Sequence, residues 1–419
     1  MQARGSECLD LEAGARALEN VSAAIGHWQE LQPSSRHSSP TSTNGAPPRA
    51  VLFGTAEAQA RIHALQHPEA RVCRSPATKF LVLNTGILST GHGIGSLLHI
   101  VASCLALAQE MGRVLVAHPG DDNVFSQDPQ PGTAQAARLP EPLPFCGTQT
   151  SLECFFLPIS SCTMADAMAL SNSGQDLPWY VPSRHEEFLQ ASAPRVLQVT
   201  MEPFKMIPAV LKDIAEPPAG YKWSSSRSPW YWARAQNTAF LMRPNEKTRR
   251  ALASRRAKAF GGSDMAPGTV SAHVRHGDKG IEMQVVAMDD FVSAAELLRG
   301  LAPGLLPLRQ LFVSTEDPAV ISRAQHYASL PPDQAWDVSF VDVERSNLPL
   351  SGLISTFGGV NEMLNGLLNL QLAVNCDAWV MTIASNWCIL IDELRATVAQ
   401  KASHPLVDVG FRCFQGCED

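Results

Sequence analysis

Short apolar segments alternate with longer helical segments along this chain, and this alternation restricts the possible folds more than any other feature. In the second half, residues 311–313 and 378–381 are predicted strands, and residues 361–375 are a predicted helix rich in leucine. The first half repeats the pattern with a strand at 80–83 followed by a helix at 97–111. Helices of this length connect parallel strands. The sequence therefore predicts an α/β protein with two Rossmann-like domains and a cleft between them.

Length and local composition divide the chain into four parts. With 419 residues, the chain can form two hydrophobic cores of ordinary size. Residues 33–50 are rich in Ser, Thr, Pro and Gly, which is typical of flexible linkers. We predict a variable N-terminal segment with a Ser- and Pro-rich linker (1–78), a first α/β domain (79–240), a second α/β domain (241–400) and a C-terminal tail (401–419).

Composition and charge exclude some classes of protein. The chain is 45% hydrophobic and 17% charged, with a net charge of −7, so we expect no nucleic-acid partner, which would require a basic domain. The longest apolar run, residues 97–108, contains His99 and Ser103, so no transmembrane segment is expected. The first residues show no signal-peptide pattern, which leaves a cytosolic protein, a clipped lumenal domain and an incomplete gene model as alternatives.

The ten cysteines allow two interpretations. Cys146, Cys154 and Cys162 are spaced eight residues apart, and Cys413 and Cys417 could close a small ring. Disulfides at these positions would indicate an oxidising lumen. Scattered buried thiols are the equal alternative.

The densest group of polar side chains follows the predicted strand at 269–272. Val270, Ala272 and Val274 alternate on one face of this strand, while His273 and Arg275 share the other. In an open α/β sheet, ligands bind beyond the carboxyl ends of the strands. A guanidinium at this point can bind a phosphate through two parallel hydrogen bonds. A surface ion pair with Asp278 is the alternative for Arg275.

Two further predicted strands end in polar residues, at 314–317 and 382–386. We expect all three strand ends to line one crevice. Asp317 before Pro318 is a typical helix N-cap, which leaves Glu316 as the better functional candidate. Ser385 and Asn386 begin another helix, whose free backbone N–H groups can bind an anion. Because no Asp-x-Asp pair follows an apolar strand, we expect no metal cofactor.

A glycine-rich turn lies between the predicted strand at 80–83 and the helix that follows it. Gly91, Gly93, Gly95 and His99 are its candidate site residues. The turn lacks the spacing and the trailing acidic residue of a dinucleotide-binding fingerprint. A tight strand-to-helix connection without a ligand is the alternative interpretation.

Taken in order, these blocks resemble the α-1,6-fucosyltransferase family, which includes the N-glycan core and nodulation fucosyltransferases. The resemblance covers residues 80 to 395 approximately, and the matching blocks are residues 91–99, 229–232 with 241–244, 273–279, 314–318 and 377–388. It implies a GT-B-like fold and transfer of fucose from GDP-fucose with inversion and without a metal. It also implies an oligosaccharide or glycoprotein acceptor with N-acetylglucosamine, an α-1,6 linkage and a place in the Golgi lumen.

The resemblance also implies roles for individual residues. Arg275 would bind the β-phosphate, Lys279 would assist it, and Glu282 would correspond, with a shift of one residue, to the acidic candidate base. The donor-binding positions would be His273, Arg275, Asp278, Lys279, Glu316, Asp317, Asn369, Thr382, Ser385 and Asn386. The first α/β domain would be the acceptor side, with Gly91, Gly93, Gly95 and His99 as acceptor or structural positions.

Three positions depart from the family pattern. Asn369 stands where the family has an Asp that holds guanine, and an amide both accepts and donates where a carboxylate only accepts. Glu316 replaces an Asp, and Met381 replaces a cysteine that pairs with the counterpart of Cys388. Two alternative functions follow: a non-catalytic nucleotide- or carbohydrate-binding protein, and a glycosyltransferase that uses another nucleotide sugar.

Overall fold

The chain divides into two compact units. The computed structural model describes residues 50–118, 122–171, 177–200, 206–221, 228–261, 264–277, 280 and 285–410. The N-unit comprises Leu52–Arg256 and Leu350–Leu368. The C-unit comprises Ala257–Pro349, Asn369–Asp419 and the chain up to Val51, as far as these residues are described.

The N-unit contains a parallel sheet of three strands in the order β2-β1-β3. Its strands are β1 (Phe80–Leu83), β2 (Val114–Ala117) and β3 (Val196–Val199). Its helices are α1 (Thr55–Gln66), α2 (Ala70–Cys73), α3 (Gly86–Ser89), α4 (Ile94–Glu110), α5 (Ala134–Arg138), α6 (Met164–Ala169), α7 (His185–Leu189), α8 (Pro229–Leu241), α9 (Glu246–Phe260) and α12 (Leu350–Phe357). The last four residues of α9 belong to the C-unit. Short 3₁₀ helices cover Val124–Ser126, Leu152–Cys154, Pro182–Arg184 and Ala209–Leu211.

The C-unit contains a parallel sheet of five strands in the order β6-β5-β4-β7-β8. Its strands are β4 (Val270–His273), β5 (Gln310–Ser314), β6 (Asp337–Ser339), β7 (Ala378–Met381) and β8 (Leu406–Asp408). Its helices are α10 (Met288–Leu301), α11 (Pro318–Ala328), α14 (Asn386–Thr397) and the second half of α13 (Gly359–Asn375), whose first half belongs to the N-unit. Each unit is therefore α/β with a parallel sheet, and the predicted fold class is confirmed.

Burial of the central strands explains why the sequence shows them as short apolar segments. All four residues of β1, β4 and β7 are buried, as expected for parallel strands covered by helices on both faces. Local signals then end or begin the helices. Gly112 adopts a left-handed backbone (φ 59°) just after α4, and Pro229 follows the N-cap Ser228 at the start of α8.

Compact structure begins earlier than the predicted boundary at residue 79. Helix α1 buries Ala58 and Ile62, and the Trp232 indole donates to the Phe53 carbonyl at 2.8 Å. The sequence did not predict α1 as part of the first domain, because this helix has little separation of apolar and polar faces. The boundary near residue 240 also differs, because Arg255 in α9 forms a buried ion pair with Glu141 of the N-unit at 2.7 Å.

The predicted tail at 401–419 contains a strand of the sheet. Strand β8 pairs in parallel with β7, with Val407 opposite Val380. Three residues are too few for a periodic pattern to be visible in the sequence. Residues 411–419 lie outside the described part of the chain.

Two disulfides among the described residues show that some of the cysteines are paired and are not scattered buried thiols. Cys146 pairs with Cys154 as its spacing allowed, whereas Cys162 pairs with the distant Cys73. Both bridges lie in the N-unit, and disulfides of this kind persist in oxidising compartments. Cys413 and Cys417 fall outside the described residues.

The described helices include none that is both long and apolar enough to cross a bilayer.

A pair of helix glycines gives a test of N-unit packing. A Cβ on Gly359 would lie 1.8 Å from the Val124 carbonyl oxygen, whereas a Cβ on Gly300 in α10 would meet nothing within 4 Å. Gly359→Ala should lower the free energy of unfolding by about 2 kcal/mol or more, because backbone must move to admit the methyl group. Gly300→Ala should be neutral or stabilise by up to about 1 kcal/mol, since alanine favours helices. Urea unfolding of both variants measures the difference; equal stabilities would contradict the close approach.

Candidate functional site

The carboxyl ends of three neighbouring strands bring the predicted polar residues together. Strand β4 lies between β5 and β7, and His273 is in register with both Ser314 and Met381. The chain continues from these three positions into residues 274–277, 315–317 and 382–386. The expected crevice residues of the C-unit therefore share one edge of the sheet, which is the edge where open α/β sheets bind ligands.

His273 is a buried, neutral histidine at the centre of this edge. Its Nδ1 lies 2.8 Å from the Ser314 hydroxyl, and its ring packs near the Trp387 indole at 6.3 Å between centroids. Burial, and then the nearby Arg275 charge, lower the pKa of His273 to about 3. Its Nε2 is buried and has no partner among the described residues. His273 can therefore form a hydrogen bond with a ligand, but it does not supply positive charge.

Arg275 provides the positive charge. Its Nη1 forms an ion pair with Glu316, and the side chain stays 25% exposed. The same Glu316 oxygen accepts the His276 backbone N–H at 2.8 Å. One partner of Arg275 is thus the acidic residue just beyond the end of β5. A guanidinium carries five N–H donors, and its 25% exposure leaves part of this side chain accessible to an anion.

Gly277 is required by the geometry around this ion pair. It has a left-handed backbone (φ 53°), and a Cβ there would lie 2.8 Å from Arg275 Nη1 and 3.0 Å from Glu316 Oε1. A side chain at this position would therefore strain the backbone and displace the Arg275–Glu316 pair.

The two helices that begin at this edge differ at their N-termini. Asp317 caps α11 by accepting the Ala319 N–H at 2.9 Å, as the sequence predicted. Ser385 occupies the N-cap position of α14 without a capping hydrogen bond from its side chain. The carboxylate of Asp408, at the end of β8, instead accepts the Ile383 N–H at 3.0 Å and so holds the loop before α14.

The remaining predicted donor positions of the C-unit lie around this loop or on α13. Thr382 is buried with its hydroxyl 4.0 Å from the Cys388 thiol, and Asn386 is the first residue of α14. Burial raises the pKa of Cys388 to about 12, so this thiol stays protonated. Asn369 lies on α13, partly buried.

The glycine-rich turn belongs to the N-unit. Gly93 is the N-cap of α4, while Gly95 and His99 are buried within that helix. A Cβ on Gly91 or Gly93 would meet nothing within 4 Å, and neither residue has a left-handed backbone. Packing within the N-unit therefore does not explain these two glycines.

Three candidates lie outside the described residues: Asp278, Lys279 and Glu282. Their predicted roles, and the alternative pairing of Arg275 with Asp278, stay predictions.

Sequence reasoning included Ser314 among the polar strand ends without giving it a role, and it missed Asp408. Ser314 and Asp408 act on His273 and on the loop before α14 through strand pairing, which no local pattern encodes. Each of these two residues ends a short apolar strand, and this position was the one feature of the sequence that could have indicated them. In the described part of the chain, no group of three His, Cys, Asp or Glu side chains is arranged to hold a metal ion.

A second concave surface of the C-unit lies at the opposite edge of the sheet. A groove of about 690 Å³ is lined by Tyr327, Trp336 and Glu296, near the amino ends of β5 and β6. The Glu296 carboxylate is already paired with Arg299 and Arg309. This groove therefore has apolar walls, and its Glu296 carboxylate is already neutralised by two arginines. We do not assign the candidate functional site to it.

The backbone at Gly277 gives a stability test. Gly277→Ala should lower the free energy of unfolding by about 1–2 kcal/mol, because a left-handed backbone is strained for alanine and the methyl group meets the Arg275–Glu316 pair. Gly280→Ala is the control, since its Cβ would make only a 3.5 Å contact with the Val285 side chain. Chemical denaturation compares the two. A Gly277→Ala protein as stable as Gly280→Ala would show that the close approach is absent.

Acid sensitivity follows from the buried neutral His273. Its pKa is about 3 in the folded chain, whereas an unfolded histidine has a pKa of about 6.5. Between these values the unfolded chain binds a proton that the folded chain does not, so stability falls as the pH falls from about 6.5 towards 3. His273→Asn should lessen this loss by about 1 kcal/mol per pH unit. Unfolding measured across this range, with the exposed His326→Asn as control, tests it; an unchanged slope would contradict the burial.

Comparisons with known proteins give structural likeness alone. No protein-family model matches the sequence, and no curated protein matches it. Among solved structures, the chain is similar to NodZ alpha-1,6-fucosyltransferase soaked with GDP-fucose (15% identity, 76% of this chain and 92% of that chain, TM-score 0.39). It is similar to a mutant of Arabidopsis thaliana FUT1 in complex with GDP (15%, 90% and 77%, TM-score 0.43). It is also similar to POFUT1 in complex with GDP (12%, 80% and 99%, TM-score 0.39). At 12–15% identity, these similarities do not assign a function to the chain.

Proposed function

We propose that this protein is an inverting glycosyltransferase that transfers fucose from GDP-fucose to an oligosaccharide acceptor. The observation that carries the proposal is the position of Arg275: a partly exposed guanidinium at the carboxyl end of β4, between the ends of β5 and β7. The sequence blocks around it resemble those of the α-1,6-fucosyltransferases. Reaction at such a site requires positive charge where the diphosphate leaves.

Arg275 would stabilise the departing diphosphate. As the bond between the sugar and the β-phosphate breaks, negative charge grows on the phosphate oxygens. Glu316 holds one arm of the guanidinium and so fixes the direction of the others. Because the charge develops in the transition state, the guanidinium lowers the barrier more than it strengthens binding of the intact donor.

Three further groups complete the proposed diphosphate site: a neutral histidine, a helix N-terminus and a lysine. The unpartnered Nε2 of His273 can bond a phosphate or ribose oxygen when it carries the ring proton. The N-terminus of α14, where Ser385 makes no capping bond, offers backbone N–H groups and the positive end of the helix dipole. We assign Lys279 to assist Arg275, so that protein groups rather than a metal meet the phosphate charge.

The acceptor hydroxyl attacks the anomeric carbon from the face opposite the diphosphate, and Glu282 would take its proton. We assign the acceptor to an N-acetylglucosamine-containing glycan with an α-1,6 linkage, with Gly91 and Gly93 leaving open space for it in the N-unit. The N-unit disulfides support an oxidising compartment, for which the Golgi lumen is our proposal.

Replacement of Arg275 is the direct test of the proposal. Arg275→Ala should reduce fucose transfer to chitooligosaccharides or N-glycans at least about a hundredfold, because one transition-state charge donor is worth that much. Arg299→Ala is the matched control: it also removes an arginine paired with a glutamate of the C-unit, but on helix α10. Initial rates with GDP-fucose measure both. Loss below a hundredfold in Arg275→Ala, or equal loss in both variants, would reject the role.

A donor panel distinguishes the alternatives that Asn369 leaves open. Wild-type protein is assayed with GDP-fucose, GDP-mannose and UDP-linked sugars, and GDP binding is measured by calorimetry. Transfer from another nucleotide sugar alone would identify a different glycosyltransferase, and GDP binding without any transfer would identify a non-catalytic binding protein. Absence of both binding and transfer would reject all three.

A further inference from the structure

His276 is held between two hydrogen-bond acceptors. Its Nδ1 lies 2.8 Å from an Asp317 carboxylate oxygen, and its Nε2 lies 2.9 Å from the Val286 carbonyl oxygen. Both the His276 and Asp317 side chains are largely buried, at 17% and 12% exposure. Neither partner is a hydroxyl or a side-chain amide, which could either donate or accept a hydrogen bond.

Counting protons gives the charge of this ring. A backbone carbonyl can only accept, so Nε2 must carry a proton. The Asp317 carboxylate caps α11 by accepting the Ala319 N–H at 2.9 Å, and the positive end of a helix dipole stabilises the ionised form of a carboxylate there. An ionised carboxylate also only accepts, so Nδ1 must carry a proton as well. The two acceptors therefore match a ring that donates from both of its nitrogens.

The charged groups around the ring agree with this state. Glu316 and Asp317 face it from the junction of β5 and α11, and the Glu316 carboxylate also accepts the His276 backbone N–H. Arg275 is its neighbour on β4 and is paired with Glu316. Residues 285–287 are Val, Val and Ala, so this third segment adds a carbonyl and no titratable side chain.

The two bonds connect separate parts of the C-unit. One joins the end of β4 to the N-cap of α11, and the other joins residue 276 to residue 286, two residues before α10 begins. The intervening chain contains Lys279 and Glu282, which lie outside the described residues. The ring thus ties both ends of this stretch to the edge of the sheet that carries Arg275.

We propose that His276 is a positioning residue that acts as an imidazolium, anchoring Val286 to Asp317 and so holding the chain next to Arg275 in its nucleotide-binding arrangement. Neither the charge of the ring nor the anchor depends on whether the protein binds a nucleotide. Only the effect on the nucleotide rests on the proposed function.

The isosteric variant Asp317→Asn tests the charge. Its Oδ1 can still cap α11, while its amide nitrogen can donate to Nδ1, which permits a neutral ring that keeps its bond to Val286. Nitrogen NMR of selectively labelled histidine near neutral pH should show two protonated ring nitrogens at His276 in the wild type and one in Asp317→Asn. The signal is assigned by its loss in His276→Phe. A neutral His276 ring in the wild type would overturn the proposal.

Hydrogen exchange tests the anchor without any ligand. His276→Phe keeps a ring but removes both bonds, and backbone amides of residues 285–291 should exchange at least about tenfold faster, since a hydrogen bond to a charged group is lost. Asp317→Asn should retain most of the protection. His185→Phe is the control, because it removes the bond of a histidine to the Tyr180 hydroxyl in the N-unit. Unchanged exchange in His276→Phe would overturn the anchor.

Calorimetry with GDP then separates this inference from the proposed function. His276→Phe should bind GDP at least about tenfold more weakly than the wild type, whereas His185→Phe should bind equally well. Equal GDP affinity in His276→Phe and wild type would overturn the positioning role. Absence of GDP binding by the wild type would reject the proposed function, and the NMR and exchange results would still decide whether His276 is a charged anchor.

Discussion

The parallel pairing of β4 between β5 and β7 is the constraint on which the site depends. Because the three strands run in the same direction and in register, their last residues, His273, Ser314 and Met381, lie side by side. The polar segments that follow each strand must then meet at one edge of the C-unit sheet. A slip of register would separate His273 from Ser314 and Arg275 from Glu316, since both pairs cross from β4 to β5.

Many polar groups can lie together at this edge because each one is either neutral or bonded to a partner. His273 is neutral through burial, Arg275 is paired with Glu316, and His276 is bonded to Asp317. Unpaired charges at these depths would be strongly destabilising. Arg275 combines a positive charge with 25% exposure of its side chain, which is the combination that the proposed phosphate-binding role requires.

The N-unit is stabilised in a different way. Its sheet has three strands, and disulfides and buried polar contacts connect the irregular chain around it. Cys73–Cys162 closes a long stretch of chain, and Arg255–Glu141 joins α9 to a loop more than a hundred residues away. Such links are long-range in sequence. They explain why local reasoning placed domain boundaries at residues 79 and 240, whereas the N-unit runs from Leu52 to Arg256.

The sequence by itself determined the α/β class, the strands β1, β4, β5 and β7, and the long helices α4 and α13, because apolar runs, Gly112 and Asp317–Pro318 are local signals. It also determined that polar residues follow three strands. Only the tertiary structure decided which side chains pair: Arg275 with Glu316, His273 with Ser314, and His276 with both Asp317 and Val286. Short strands such as β8 and distant disulfides also required it. Strand order and side-chain pairing depend on contacts far apart along the chain, and a local pattern contains no information about them.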